Sequence, residues 1–235
     1  MSSKIRKHKM KKTFFLNPPE NELFTVWKGF SKNFRPGFSI IPGSHTTLLL
    51  YQDGKAVSLS PNETGAIQPF SADPQKKNPF WKPRVANIAE IFCMRNPADI
   101  NVFWGTTTDH HIVITDETTK KSYNVLLNGV LQLKATNASR MYETLLRNGH
   151  KTEQDLQYFL RNLFINNTRS ILNKIFTGVR ISDGNAPLLS VSCQLELGEQ
   201  YYEATKDIFK DHGIEMSENT KYTIFKGIVL KPFET

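Results

Sequence analysis

The spacing of apolar residues changes character twice along the body of this chain, and those changes limit its fold more than any other feature. From Leu23 to about Ala135, apolar and polar residues alternate in short runs broken by Pro, Gly and Asp. A period of two puts successive side chains on opposite faces of a strand. From Thr136 to His212 the apolar residues recur at offsets of three and four, the spacing of one helical face. After Gly213 the strand pattern returns. Strands and helices are therefore segregated, which predicts an α+β chain and argues against a doubly wound sheet or a β/α barrel.

In the β-rich stretch, runs at Leu23–Trp27, His45–Tyr51, Ala56–Leu59, Thr64–Phe70, Val85–Met94, Asn101–Trp104, His110–Thr115 and Ser122–Ala135 read as strands. Asp53-Gly54 between two of them is a hairpin signal, because a type I′ turn needs positive φ. Hairpin connections make a mostly antiparallel sheet. Residues 71–84 form a proline-punctuated loop that tucks Phe80 and Trp81 inward.

Asn137 is placed to cap a short helix ending near Asn148-Gly149, and Thr152 opens a longer one. The apolar stripe of that second helix runs Leu156, Phe159, Leu160, Leu163, Phe164, Ile171, Leu172, Ile175 and Phe176, with a break at Asn166 and Asn167. A third helix is expected over Leu188–His212, weakened at Gly198, with Leu188, Leu195, Tyr202 and Phe209 as its packed seam. Ile214–Met216 and Tyr222–Leu230 close the chain as strands. The expected organisation is a basic flexible arm over 1–21 and one domain over 22–235: β-rich to 135, helical over 136–213, and closing strands over 214–235.

The net charge of +8 is concentrated at one end. Lys4, Arg6, Lys7, Lys9, Lys11 and Lys12 precede the first acid, Glu20, and removing them leaves +2. This arm is the candidate anionic-surface site. It is suited to an acidic membrane, to nucleic acid, or to no more than a solvated tail. It is not a secretory signal, since Phe14-Phe15-Leu16 is far short of the roughly 7–15 apolar residues such a signal needs. Ser2 stands where myristoylation needs Gly. No run of about 18 apolar residues exists to span a bilayer.

Chemistry-bearing patterns are sparse. Phosphate-loop, dinucleotide and nucleophile-elbow motifs are missing. His110 and His111 are adjacent on a strand and point to opposite faces, which does not suit a shared metal. Cys93 and Cys193 sit among apolar residues and read as small hydrophobes. Asp109, Asp116 and Glu117 flank a hairpin and read as turn formers. The expectation is a non-enzymatic protein with no catalytic residue, no metal and no cofactor.

One ordered set of residues goes further. It comprises Trp27-Lys28, the stretch from Pro42-Gly43 to Asp53-Gly54-Lys55, Ala89-Glu90-Ile91-Phe92-Cys93, Trp104-Gly105-Thr106, Ile112 to Asp116, Leu127-Asn128-Gly129-Val130-Leu131, His212 to Met216, and Phe225-Lys226-Gly227-Ile228. In order and spacing the chain resembles the SPFH domain of stomatins, prohibitins and flotillins, above all the soluble virion-core-protein-like type. The resemblance covers about 22–230. It departs after the hairpin, where the usual proline-glycine is stretched into Pro61-Asn62-Glu63-Thr64-Gly65. The resemblance implies a β-sheet subdomain, then helices with a small closing β unit. It also implies a self-associating scaffold, cytoplasmic and peripheral on the inner face of a membrane, with a membrane protein or anionic lipid surface as partner. It carries no catalytic residues. The alternative is a nucleic-acid-binding accessory protein, with the arm on phosphates and Trp81 or Tyr51 stacked on bases.

Overall fold

The computed structural model describes residues 13–20, 22–28, 39–52, 55–61, 63–66, 88–106, 112–116, 119–147, 149, 152–177 and 191–232. The architecture of the described residues is α+β: mostly antiparallel sheets, then three helices, then a small closing β unit. The chain divides into two compact units, Met1–Asn96 and Pro97–Thr235. The division falls inside the β-rich stretch because the strands after Pro97 build the sheet that carries the helices.

In the first unit, β2 (Phe24–Lys28), β7 (Ile88–Arg95), β4 (Thr46–Gln52) and β5 (Lys55–Leu59) form an antiparallel sheet in the order β2-β7-β4-β5. β4 and β5 pair from Leu48↔Leu59 to Gln52↔Lys55, the hairpin expected from Asp53-Gly54. A smaller sheet joins β1 (Thr13–Leu16), β3 (Ser39–Pro42) and β6 (Gly65–Ala66). β1 runs parallel to β3, so a strand lies within the segment expected as a flexible arm. Three features hold it there. Leu16 packs on the cluster of Ile40, Leu48, Leu50, Leu59 and Ile91. The Leu16 carbonyl accepts from Cys93 Sγ at 3.7 Å. Beyond it, Arg95 Nε donates to Glu22 O at 2.8 Å and Nη2 to Pro19 O at 2.6 Å. The 71–84 loop with Phe80 and Trp81 lies outside the described residues.

The second unit is organised around β10 (Ser122–Ala135). β8 (Ala98–Gly105) pairs with its residues 128–135 and β9 (Ile112–Thr115) with 122–125. β11 (Ile214–Met216) and β12 (Gly227–Pro232) pair with 133–135 and 123–128, all antiparallel. The gap between β11 and β12 is closed by a 3-10 turn at Glu218–Tyr222, where a strand from Tyr222 was expected. Two threonines take the place of strand backbone. Thr220 Oγ1 accepts from Gln132 N–H at 3.0 Å and donates to Gln132 O at 2.9 Å. Thr223 O accepts from Val130 N–H, and Thr223 Oγ1 donates to Val130 O, both at 2.8 Å. Satisfying these β10 groups in this way avoids the penalty of leaving buried backbone unpaired.

Val125, Leu127, Leu131 and Leu133 on β10 share a buried face with Ile100, Val102 and Trp104 on β8. Trp104 stands 5.1 Å from the Phe164 ring, 6.0 Å from Tyr201 and 6.0 Å from Phe225. Its Nε1–H donates to Ile224 O at 3.0 Å, so the core indole is satisfied.

Helix α1 (Ala138–Arg147) is capped as expected, Asn137 Oδ1 accepting from Arg140 N–H at 3.1 Å. Helix α2 (Glu153–Thr177) opens on a reciprocal box: Thr152 Oγ1 accepts from Asp155 N–H at 3.1 Å, and Asp155 Oδ2 from Thr152 N–H at 3.0 Å. It runs unbroken through Asn166 and Asn167, and Asn167 Nδ2 donates to Leu163 O at 2.7 Å. Helix α3 (Val191–Thr205) ends before the expected His212. Of the expected sevenfold seam, Tyr202 and Phe209 are buried, Leu195 is 44% exposed and Leu188 lies outside the described residues, while Leu197, Tyr201 and Thr205 complete the packed face. A 3-10 turn at Lys210–His212 ends at Gly213 in the left-handed region, φ 73°, and turns the chain into β11.

Candidate functional site

Lys4, Arg6, Lys7, Lys9, Lys11 and Lys12, the residues singled out for anionic surfaces, lie outside the described residues, as do His110, His111, Asp109, Glu117 and Trp81. The first described residue after these six is Thr13, and Phe15 two residues later is 70% exposed. Tyr51 is half-buried on β4.

Cys93, Cys193 and Asp116 lie among the described residues. Cys93 is buried, and desolvation pushes its thiol up to about 12, which keeps it protonated at neutral pH. Cys193 is also shifted upward, by burial and then by Glu196. Asp116 is buried and accepts from Thr119 Oγ1 at 2.7 Å, holding the turn before β10 as its residue type suggested. Among the described residues there is no group of three or more His, Cys, Asp and Glu able to hold a metal.

The feature that the sequence did not reveal lies beside β8. Its burial alternates strictly: Ala98, Ile100, Val102 and Trp104 face inward, while Asp99, Asn101 and Phe103 face out. Phe103 is thus an aromatic in the polar phase of the strand, 72% exposed. Two clefts share it. One, of about 220 Å³, is lined by Val102, Phe103, Gln154, Gln157, Tyr158 and Arg161. The other, of about 370 Å³, is lined by Phe103, Trp104, Gly105, Arg161, Asn162, Ile165 and Asn166. Both have β8 as one wall and α2 as the other. Gln154 to Asn166 spans three helical turns, about 18 Å at 1.5 Å per residue, the length of about five residues of extended chain.

Arg161 lines both clefts and stacks over the ring of Tyr158 at 5.3 Å. Among the described residues no carboxylate pairs with it. The groove therefore offers one guanidinium, four side-chain amides and two exposed rings. That inventory suits recognition of extended backbone and a carboxylate, and it lacks an acid–base pair or an activated nucleophile. An out-of-phase Phe in Ala98–Gly105 was the available sequence signal. Arg161 had none, because its approach to Phe103 depends on how α2 packs beside β8.

No protein-family model, no curated protein and no solved structure matches this chain.

Proposed function

We propose that this chain is a non-enzymatic scaffold of the SPFH type that self-associates and lies peripherally on an anionic membrane. The observation that carries this reading is where the resembling residues fall in the second unit. They occupy its joints. Trp104 anchors the core, and Thr106 Oγ1 accepts from Leu127 N–H at 2.8 Å. Asp116 ends β9, and Gly213 turns the chain into β11. Residues at joints constrain a fold without supplying chemistry, as a scaffold requires.

The basic arm and the exposed Phe15 support the peripheral part of the reading. Among the described residues no helix is long and apolar enough to cross a membrane. Each Lys or Arg near an anionic surface contributes about 1 kcal/mol, and an exposed Phe adjoining such a run can enter the headgroup layer. The test is co-sedimentation with vesicles of phosphatidylserine and phosphatidylcholine, comparing the full chain with one lacking residues 1–12. The cut stops before β1, so the first unit keeps its strand. The full chain is expected to pellet in low salt and the shortened chain to stay in solution. Equal pelleting removes the arm from the membrane contact. Binding of single-stranded DNA in preference to vesicles favours the nucleic-acid reading.

A further inference from the structure

The clefts beside β8 border a strand edge with unused backbone. Thr106 N–H donates to Leu127 O at 2.9 Å, which sets the phase of the β8–β10 ladder. In an antiparallel pair, alternate residues exchange both hydrogen bonds with the partner strand and the residues between turn theirs away. Trp104, Val102, Ile100 and Ala98 therefore bond to β10, while Asp99, Asn101, Phe103 and Gly105 direct N–H and C=O to the opposite edge. Among the described residues nothing pairs with that edge. Proteins usually blunt such an edge with Lys, Pro or a bulge. Ala98–Gly105 contains neither Lys nor Pro, and its register against β10 is unbroken.

We propose that a second copy of this chain pairs antiparallel with the open edge of β8, so that two second-unit sheets become one across a two-fold axis. This rests on the self-association reading and names its surface. Opposed residues share a face, so exposed residues must meet exposed ones. Only axes at Asn101 or at Val102 keep that alternation while matching outward backbone to outward backbone near the strand centre. The first sets Asp99 opposite Phe103 of the second copy, and the second sets it opposite Gly105. Phe103 and Gly105 are the residues whose clefts Arg161 lines. In either register the Asp99 carboxylate arrives at the guanidinium of Arg161, with which no carboxylate pairs among the described residues. The exposed Phe103 and Tyr158 rings are covered at the same contact. Charge complementarity is thus supplied by the chain itself, twice over, as an isologous interface requires.

The test is sedimentation velocity of the full chain over a wide concentration range. Asn101→Pro removes one outward N–H and leaves the β10 ladder intact, since proline is tolerated on an edge whose N–H faces solvent. It is expected to weaken association at least about tenfold with an unchanged far-ultraviolet spectrum. Asp99→Arg is expected to weaken it similarly, and Arg161→Asp added to Asp99→Arg to restore it. The charge pair decides the matter if the proline variant fails to fold. Self-association that none of these changes alters places the contact elsewhere and overturns this proposal, leaving the scaffold reading intact. A wild-type chain that stays monomeric overturns both. A monomer whose Asn101 and Phe103 amide resonances shift with the peptide acetyl-Thr-Val-Glu-Val-Thr-amide shows that the edge takes an acidic strand of another protein, and also overturns the second-copy assignment.

Discussion

His212 shows how one residue couples protonation to packing. It sits in the turn after α3, where its Nδ1 lies 3.0 Å from Thr144 Oγ1 and its ring meets the Phe159 ring edge-on at 5.4 Å. Desolvation lowers its pKa from the ordinary 6.5, and the neighbouring Asp211 charge opposes this only in part. The folded state therefore favours neutral imidazole. Its contribution is complete above the unfolded value near 6.5 and is lost as pH falls from there through the lower folded value. Tm is expected to drop more steeply between pH 7.5 and pH 5.5 in the wild type than in His212→Gln. Parallel pH profiles in calorimetry would remove His212 from the acid response. Nothing in the sequence around His212 announced this contact, because Thr144 and Phe159 belong to two other helices. The local pair Asp116 and Thr119 was legible, since a turn aspartate needs only residues next to it in the chain.

At the scale of elements, what the chain shows plainly is what local periodicity and caps decide. The long strand β10, the Asn137 cap and the Thr152 start of α2 all appear where residue type places them. The misread elements are those decided by partners. Asn166 and Asn167 have weak helix propensity, yet α2 continues through them because its buried stripe, with Phe164, Thr168 and Leu172, does not pause there. Gly198 looked like a weak point in α3. It stands instead where an added Cβ would lie 2.5 Å from the Lys221 carbonyl, so the helix and the 3-10 turn approach closely because it is glycine. Gly129 on β10 is tighter still, its absent Cβ falling 1.8 Å from Ile224 O. That contact is with backbone tied by the Trp104 indole, so no side chain can swing aside. Gly129→Ala is expected to cost about 3 kcal/mol and to lower Tm by roughly 10 °C. Gly149→Ala serves as the contrast, since φ is +71° there but none of the described residues lies within 4 Å of the added Cβ, leaving only backbone strain of about 1 kcal/mol. If the two variants melt together, the close approach at Gly129 is not what holds the 3-10 turn on the sheet.

At the scale of the whole molecule, the division at Asn96 and Pro97 makes a strong claim about autonomy. The second unit contains a five-stranded sheet, all three described helices and a core of its own, with Trp104, Phe164, Tyr201 and Phe225 packed within it. Its 139 residues are enough for one independent core by the scaling of buried surface with length. A fragment over 97–235 is therefore expected to fold alone and unfold in one cooperative step. The sequence provides a clean reporter, because Trp27 and Trp81 belong to the first unit and Trp104 is the one tryptophan left. Trp104 is 4% exposed, so the folded fragment should emit at short wavelength and shift to the red when urea unfolds it. Replacing Trp104 by Phe keeps most of the ring packing but strands the Ile224 carbonyl that its N–H now satisfies. That variant should unfold at lower urea, by about 1–3 kcal/mol. A fragment with red emission in water, or one that melts without cooperativity, would mean that the second unit needs the first to complete its core.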